Sequence, residues 1–197
     1  MYQKIIHKRY QAKRFRMLIL TMLFLIVIAF LLYEYGSDFF ISSNNFDDII
    51  REAADRHCVD YLLIKAVIWR ESRFNILARG SKGEIGLMQL RPNSSVLDWA
   101  RSNGVEPPSE AVLFSPSLNI EIGTWYLARA LRKWSRYKDF EAIALSEYNA
   151  GGVNAQKWKP SSYEQDFIEK ITYSSTKNYV KDILKKYEEY VINREAK

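Results

Sequence analysis

The stretch Asp60-Tyr61-Leu62-Leu63-Ile64-Lys65-Ala66-Val67-Ile68-Trp69-Arg70, residues 60–70, is apolar on nearly every side of a helix and runs directly into Glu71. A helix with almost no polar face must be surrounded by other elements, so this run predicts a central helix in a helical core. The period around it stays helical. Phe46, Ile49, Ile50 and Ala53 recur at i, i+3, i+4 and i+7, with Asn44 or Asn45 as the expected cap. Further helices are expected at about 94–103 (stopped by Gly104), 117–135, 139–150 (capped by Asp139, stopped by Gly151-Gly152), 163–170 and 175–192. The last carries Tyr179, Val180, Ile183, Leu184, Tyr187 and Tyr190 on one face. Gly80, Gly83 and Gly86 interrupt the pattern, so 72–86 reads as irregular, with room for a minor hairpin near 76–86. There is no convincing strand alternation and no internal repeat. The expectation is an all-α domain over 46–192, followed by a short tail at 193–197.

The amino terminus reads differently. Residues 17–33, MLILTMLFLIVIAFLLY, carry no charge and lie between Arg16 and Glu34. That length is the lower limit for a membrane-spanning helix, and no small-x-small cleavage site follows it. An uncleaved anchor is expected at 17–33, with residues 1–16 as a basic cytoplasmic tail, 34–45 as a polar tether, and everything beyond exported. Lys4, Lys8, Arg9, Lys13, Arg14 and Arg16 account for the whole net charge of +6, so the exported part is neutral. Nothing basic is left there to follow a phosphate backbone, which argues against a nucleic-acid partner. An exported position also removes ATP and nicotinamide chemistry from consideration and faces the domain toward the cell wall.

Cys58 is the only cysteine and is expected to be a small buried hydrophobe. His57 has no second His at metal-ligand spacing in the exported part, so no metal site is expected. A Ser/His/Asp peptidase set is weakened by the same shortage. Gly80-Ser81-Lys82-Gly83 lacks the spacing and the preceding strand of a phosphate-binding loop.

Glu71 is the residue that invites chemistry. A carboxylate at the end of a buried helix is desolvated, and its pKa rises toward the value a general acid needs near neutrality. Taken alone, it is equally compatible with a helix-end Glu paired to Arg70 or Arg73.

Its neighbours carry more. Glu71-Ser72, then Gly86-Leu87-Met88-Gln89, then Tyr148-Asn149-Ala150-Gly151, then Asp166-Phe167-Ile168-Glu169-Lys170-Ile171-Thr172-Tyr173 with Thr176 and Tyr179-Val180, stand in order along the chain. This series resembles the soluble lytic transglycosylase catalytic domain, which is related to goose-type lysozyme, and the resemblance covers about residues 46–190. It implies a lysozyme-like helical fold acting on peptidoglycan glycan strands, with no cofactor. It makes Glu71 the acid and base, places Gln89, Tyr148 and Asn149 at the cleaved bond with Met88 packing nearby, and matches Glu169 to a carboxylate of the far wall. It further implies non-hydrolytic cleavage between N-acetylmuramic acid and N-acetylglucosamine with closure of a 1,6-anhydro ring. A single dominant carboxylate fits that chemistry, whereas ordinary glycosidases use two.

The chain departs from the commonest pattern at three places. Glu84-Ile85 precede the Gly-Leu-Met-Gln run where a small residue is usual, Arg91 stands where a Met is frequent, and Gly80 stands where a Ser is often found. Glu84 is thus either a local structural acid or a second functional carboxylate. The second case would turn the enzyme into a hydrolytic muramidase. A membrane-tethered wall-binding scaffold without turnover is the alternative of a different class. The sequence identifies no protein partner.

Overall fold

The computed structural model describes residues 13–14, 16–28, 30 and 46–195. Residues 1–45 and 46–197 form two separate units.

In the first unit, residues 16–28 are helical, and their apolar side chains, Met17, Leu20, Phe24 and Leu25 among them, are exposed. No helix among the described residues is long and apolar enough to cross a membrane. The reason is length: at 1.5 Å per residue the run 16–28 spans roughly 20 Å, against about 30 Å of hydrocarbon. The expected anchor extends to residue 33, and Ala29 and 31–33 lie outside the described residues, as do the tether 34–45 and the expected caps Asn44 and Asn45.

The described residues of the second unit form seven α-helices: α1 (Asp47–His57), α2 (Tyr61–Ser72), α3 (Leu97–Asn103), α4 (Pro116–Trp134), α5 (Phe140–Ala150), α6 (Gly152–Trp158) and α7 (Ser174–Glu195). In α2, Asp60 caps the start by accepting from the Leu62 N–H at 2.7 Å. Residues Leu62 to Ile68 are then buried without a break, as their composition demands. Even Lys65 is buried, its ammonium paired with Asp47 of α1. In α5, Ala142 to Glu147 are likewise all buried. α5 packs against α4, α6 and α7, and α2 packs against α7. The two most enclosed helices end at Ser72 and Ala150, so each delivers its last turn to the edge of the core.

Between α2 and α3 the backbone is irregular. The expected hairpin reduces to isolated antiparallel bridges, Arg79 with Ile85 and Ile85 with Leu90. One turn of π-helix at Pro92–Val96 leads into α3.

Four local expectations are corrected. The helix expected at 163–170 is a loop with one 3-10 turn, Ile168–Lys170. Its backbone is used elsewhere: Tyr163 O accepts from Lys138 N at 2.8 Å, and Phe167 N donates to Asp139 Oδ2 at 2.8 Å. Phe167 and Ile171 are buried, so the apolar residues anchor a loop on the core rather than one face of a helix. Asp139 does stand before α5, but its carboxylate holds Phe167 and makes no side-chain cap. Gly151, at φ 83°, ends α5 as expected, but Gly152 at once begins α6, which the paired glycines concealed. Cys58 is exposed, because it occupies the left-handed residue that ends α1.

Candidate active site

The end of α2, the loop 73–96, the end of α5 and the start of α7 enclose a cleft of about 560 Å³. Glu71, Glu84, Gln89, Tyr148 and Asn149 all line it. Five residues separated by up to 78 positions in sequence are thus brought to one wall-and-floor arrangement.

The loop is fixed to the helices by polar groups that the motif spacing reflects. Ser72 Oγ lies 2.8 Å from Leu87 O and 3.2 Å from Ile68 O, tying the residue after Glu71 to the Gly86-Leu87-Met88-Gln89 run. Asn119 of α4, fully buried, accepts from Met88 N at 2.8 Å and donates to Ile85 O at 2.9 Å and Leu113 O at 2.8 Å. Gly86 is required there: its φ is 77°, and a Cβ would sit 2.4 Å from Asn119 Nδ2. Gln89, on the cleft, also adopts the left-handed region (φ 47°), as do Arg73 (φ 53°) and Phe74 (φ 64°) where α2 ends.

Glu71 is half-buried, and burial is the largest cause raising its pKa from 4.5 to about 7. The Tyr179 hydroxyl, which donates to Glu71 Oε1 at 2.7 Å, and the charge of Arg70 pull the other way, while Glu84 adds a smaller upward push. The pairing left open for Glu71 does not form. Arg70 is bonded to Asp182 at 3.0 Å, and the Arg73 guanidinium stacks on the Trp69 ring at 3.5 Å. A carboxyl at about 7 is divided between its two forms near neutrality, so it can donate a proton and take one back.

Tyr148 donates to Met88 O at 2.8 Å and lies edge-on to Tyr126 at 5.6 Å. Burial, and next the charge of Glu71, push the phenols of Tyr148 and Tyr179 well above the ordinary value of 10, so both remain protonated donors. Asn149 Oδ1 accepts from Thr176 Oγ1 at 2.8 Å, which leaves its amide N–H groups for a ligand. Gln89 Nε2 donates to Gly86 O at 2.9 Å and Ala78 O at 3.3 Å, so this side chain shapes the loop as well as facing the cleft.

Two expected site residues are not brought to the cleft. The Met88 side chain is fully buried, with its Sδ accepting from Thr124 Oγ1 at 3.9 Å; its contribution is the carbonyl that holds Tyr148. Glu169 has a side chain 78% exposed and paired with Lys177 and Lys181. The far wall is made by Tyr173, Ser175 and Thr176 instead. Glu84 lines the cleft, yet its Oε2 accepts from Lys82 N at 2.9 Å and closes the Gly80–Gly83 turn.

Tyr179 and Tyr126 on the cleft, and Asn119 behind it, are among the residues that the sequence did not single out. Tyr179 stands in the quoted Tyr179-Val180 pair, but its place on the apolar face of α7 made it look like core. Asn119 carried a signal only as a polar residue within an apolar face of α4.

Residues 48–171 match the family described as Transglycosylase SLT domain. The chain is 30% identical over 154 residues to membrane-bound lytic murein transglycosylase E of Buchnera aphidicola subsp. Acyrthosiphon pisum, covering 75% of this chain and 70% of that protein. It is 36% identical over 112 residues to membrane-bound lytic murein transglycosylase C of Histophilus somni, covering 53% of this chain and 31% of that one. Among solved structures, an inactive mutant of the lytic transglycosylase Slt of Pseudomonas aeruginosa superposes with a TM-score of 0.66 at 27% identity, covering 76% of this chain. The 70-kDa soluble lytic transglycosylase in complex with bulgecin A gives 0.65 at 25% identity over 75% of this chain. This chain spans 24% of the length of either of those structures.

Proposed function

Because this chain belongs to the transglycosylase SLT domain family, we propose that it is a peptidoglycan lytic transglycosylase in which Glu71 acts first as general acid and then as general base. The observation that carries this is Glu71 itself, a carboxyl raised to about 7 in a cleft and held by Tyr179.

In the first step Glu71 gives its proton to the oxygen joining C1 of N-acetylmuramic acid to N-acetylglucosamine, and the C1–O bond breaks. The glucosamine leaves with a free 4-hydroxyl, and the substrate's own acetamide shields the cationic C1. In the second step the Glu71 carboxylate takes the proton of the muramic acid 6-hydroxyl as O6 bonds to C1. The product ends in a 1,6-anhydro ring, Glu71 is protonated again, and no water is consumed. Asn149, Gln89 and the Tyr148 hydroxyl supply polar groups suited to orienting sugar hydroxyls and the acetamide.

Incubating the purified chain with peptidoglycan and weighing the released muropeptides tests this. Anhydromuramoyl ends are expected. Glu71→Gln should lose more than about a hundredfold in rate while still binding strands. Reducing ends in place of anhydro ends would establish a hydrolytic muramidase, the reading that Glu84 on the same cleft favours if its carboxylate activates water. Tight binding without any product would point to the wall-binding scaffold.

The uncharged run 17–33 behind a basic tail supports placement of the domain on the outer side of the cytoplasmic membrane. The relatives' description as membrane-bound is in keeping with it. Sedimentation of the full chain with membranes, and its release on deletion of 17–33, tests that placement.

A further inference from the structure

Among the described residues three cations line the cleft, Arg70, Lys82 and Arg91, and they differ in what neutralises them. Arg70 is ion-paired with Asp182. Among the described residues, neither Lys82 nor Arg91 has an ion-pair partner. The acid closest to them in sequence, Glu84, does not fill that role. Its Oε2 accepts from the backbone N–H of Lys82, and it packs so tightly on Gly80 that a Cβ there would collide with it.

Both cations stand on an ordered backbone. The Glu84 bond fixes Lys82, and Arg91 N donates to Ser95 Oγ at 3.2 Å just before the π-helical turn begins. Gln89, between them in the chain, is anchored through Gly86 O and Ala78 O. The loop is therefore set, while both residues line the cleft as exposed cations that no acid among the described residues neutralises.

We propose that Lys82 and Arg91 form a carboxylate-binding subsite that recognises the acidic group a muramoyl unit carries on its lactyl side. This rests on the glycan-cleaving function proposed above. The sugar rings of such a strand are uncharged, so two cations on the cleft wall find their complement only in its carboxylates. A strand without peptides offers the free lactyl carboxylate; a peptide-bearing strand offers the carboxylates of its stem. The planar guanidinium of Arg91 is suited to a two-point grip on a carboxylate, and Lys82 adds a point charge.

The test uses strands of matched length in four preparations: peptide-stripped, peptide-bearing, and each of these with its carboxylates converted to methylamides. Affinity is measured with the full chain carrying Glu71→Gln, and turnover with the unmutated chain. The charged strands should bind about tenfold more tightly than their amidated counterparts, the scale of one charge-assisted bond in a solvated cleft. Whichever charged preparation shows the preference identifies the source of the carboxylate. Adding Lys82→Gln and Arg91→Gln together should reduce the preference to less than about twofold, whereas Arg91→Lys, which keeps the charge, should retain part of it. Equal affinity for charged and amidated strands would overturn the subsite, and so would a preference that survives in the double variant. Cleavage without preference removes the subsite and leaves the enzyme. Preference without any product removes the enzyme and leaves the subsite.

Discussion

The Tyr179 hydroxyl donates to Glu71 Oε1 at 2.7 Å, joining two residues 108 positions apart at the end of α2 and within α7. Burial makes the Glu71 carboxylate costly, and this bond returns part of that cost to the charged form. The acidity of Glu71 is therefore set by two opposed effects that arise on different helices.

Tyr179→Phe should move the pH profile in a defined direction. Without the hydroxyl, the carboxylate loses a stabilising donor and the pKa of Glu71 rises further above about 7. The protonated form then persists to higher pH, so the alkaline limb of kcat/KM should shift upward. A profile recorded from pH 5 to 9 on both proteins checks this, and a downward shift would contradict it.

Glu71 should also cost stability at alkaline pH. Its folded pKa, about 7, lies above its unfolded value of 4.5, so between these values the folded chain holds more protons and stability falls as pH rises. The full effect is at most about 3 kcal/mol and is in place above pH 7. Glu71→Gln, which cannot ionise, should melt higher than the parent at pH 8 and close to it at pH 4.5. Melting curves at the two values give the comparison, and equal differences at both would show that ionisation is not the cause.

Asn119→Ala should damage both fold and activity. It removes one acceptor and two donors from a fully buried position and leaves Met88 N, Ile85 O and Leu113 O without those partners. A loss of roughly 2–4 kcal/mol in denaturant unfolding is expected. Because Met88 O holds Tyr148, turnover by the fraction still folded should fall as well.

Much of this was legible from sequence because α2 is apolar on nearly every side, and such a helix has few places to go. Glu71 follows from the end of that helix, and Tyr148 and Asn149 from the motif order. What escaped depends on contacts between distant segments. The apolar residues of 163–170 have a helical look, but Asp139 captures Phe167 N and only a single 3-10 turn forms there. Tyr179 hides in an apolar face because its hydroxyl reaches a partner that only the fold supplies. Glu169 looked like a site acid from its place in the series, but the two lysines that neutralise it lie one and two turns into α7, and the pairing holds it on the surface.

Glu169→Gln should accordingly change turnover by less than about twofold, since exposed ion pairs contribute little. Rates on the same peptidoglycan, measured beside Glu71→Gln, give the contrast; a loss of tenfold or more would return Glu169 to the site.

Tyr173 provides the last expectation, for glycan affinity rather than chemistry. Its ring is half exposed on the far wall, 5.1 Å from Trp158 at an interplanar angle of 86°, so at least one face stays open. Trp158 is itself fixed, its indole N–H donating to Thr172 Oγ1 at 2.9 Å. An aromatic ring held in advance loses little freedom when a sugar stacks on it. Tyr173→Ala should therefore raise KM several-fold, on the order of 1 kcal/mol, with a smaller change in kcat. Tyr173→Phe keeps the ring and should retain most of the affinity. If the two variants lose affinity equally, the hydroxyl rather than the ring face is what meets the glycan.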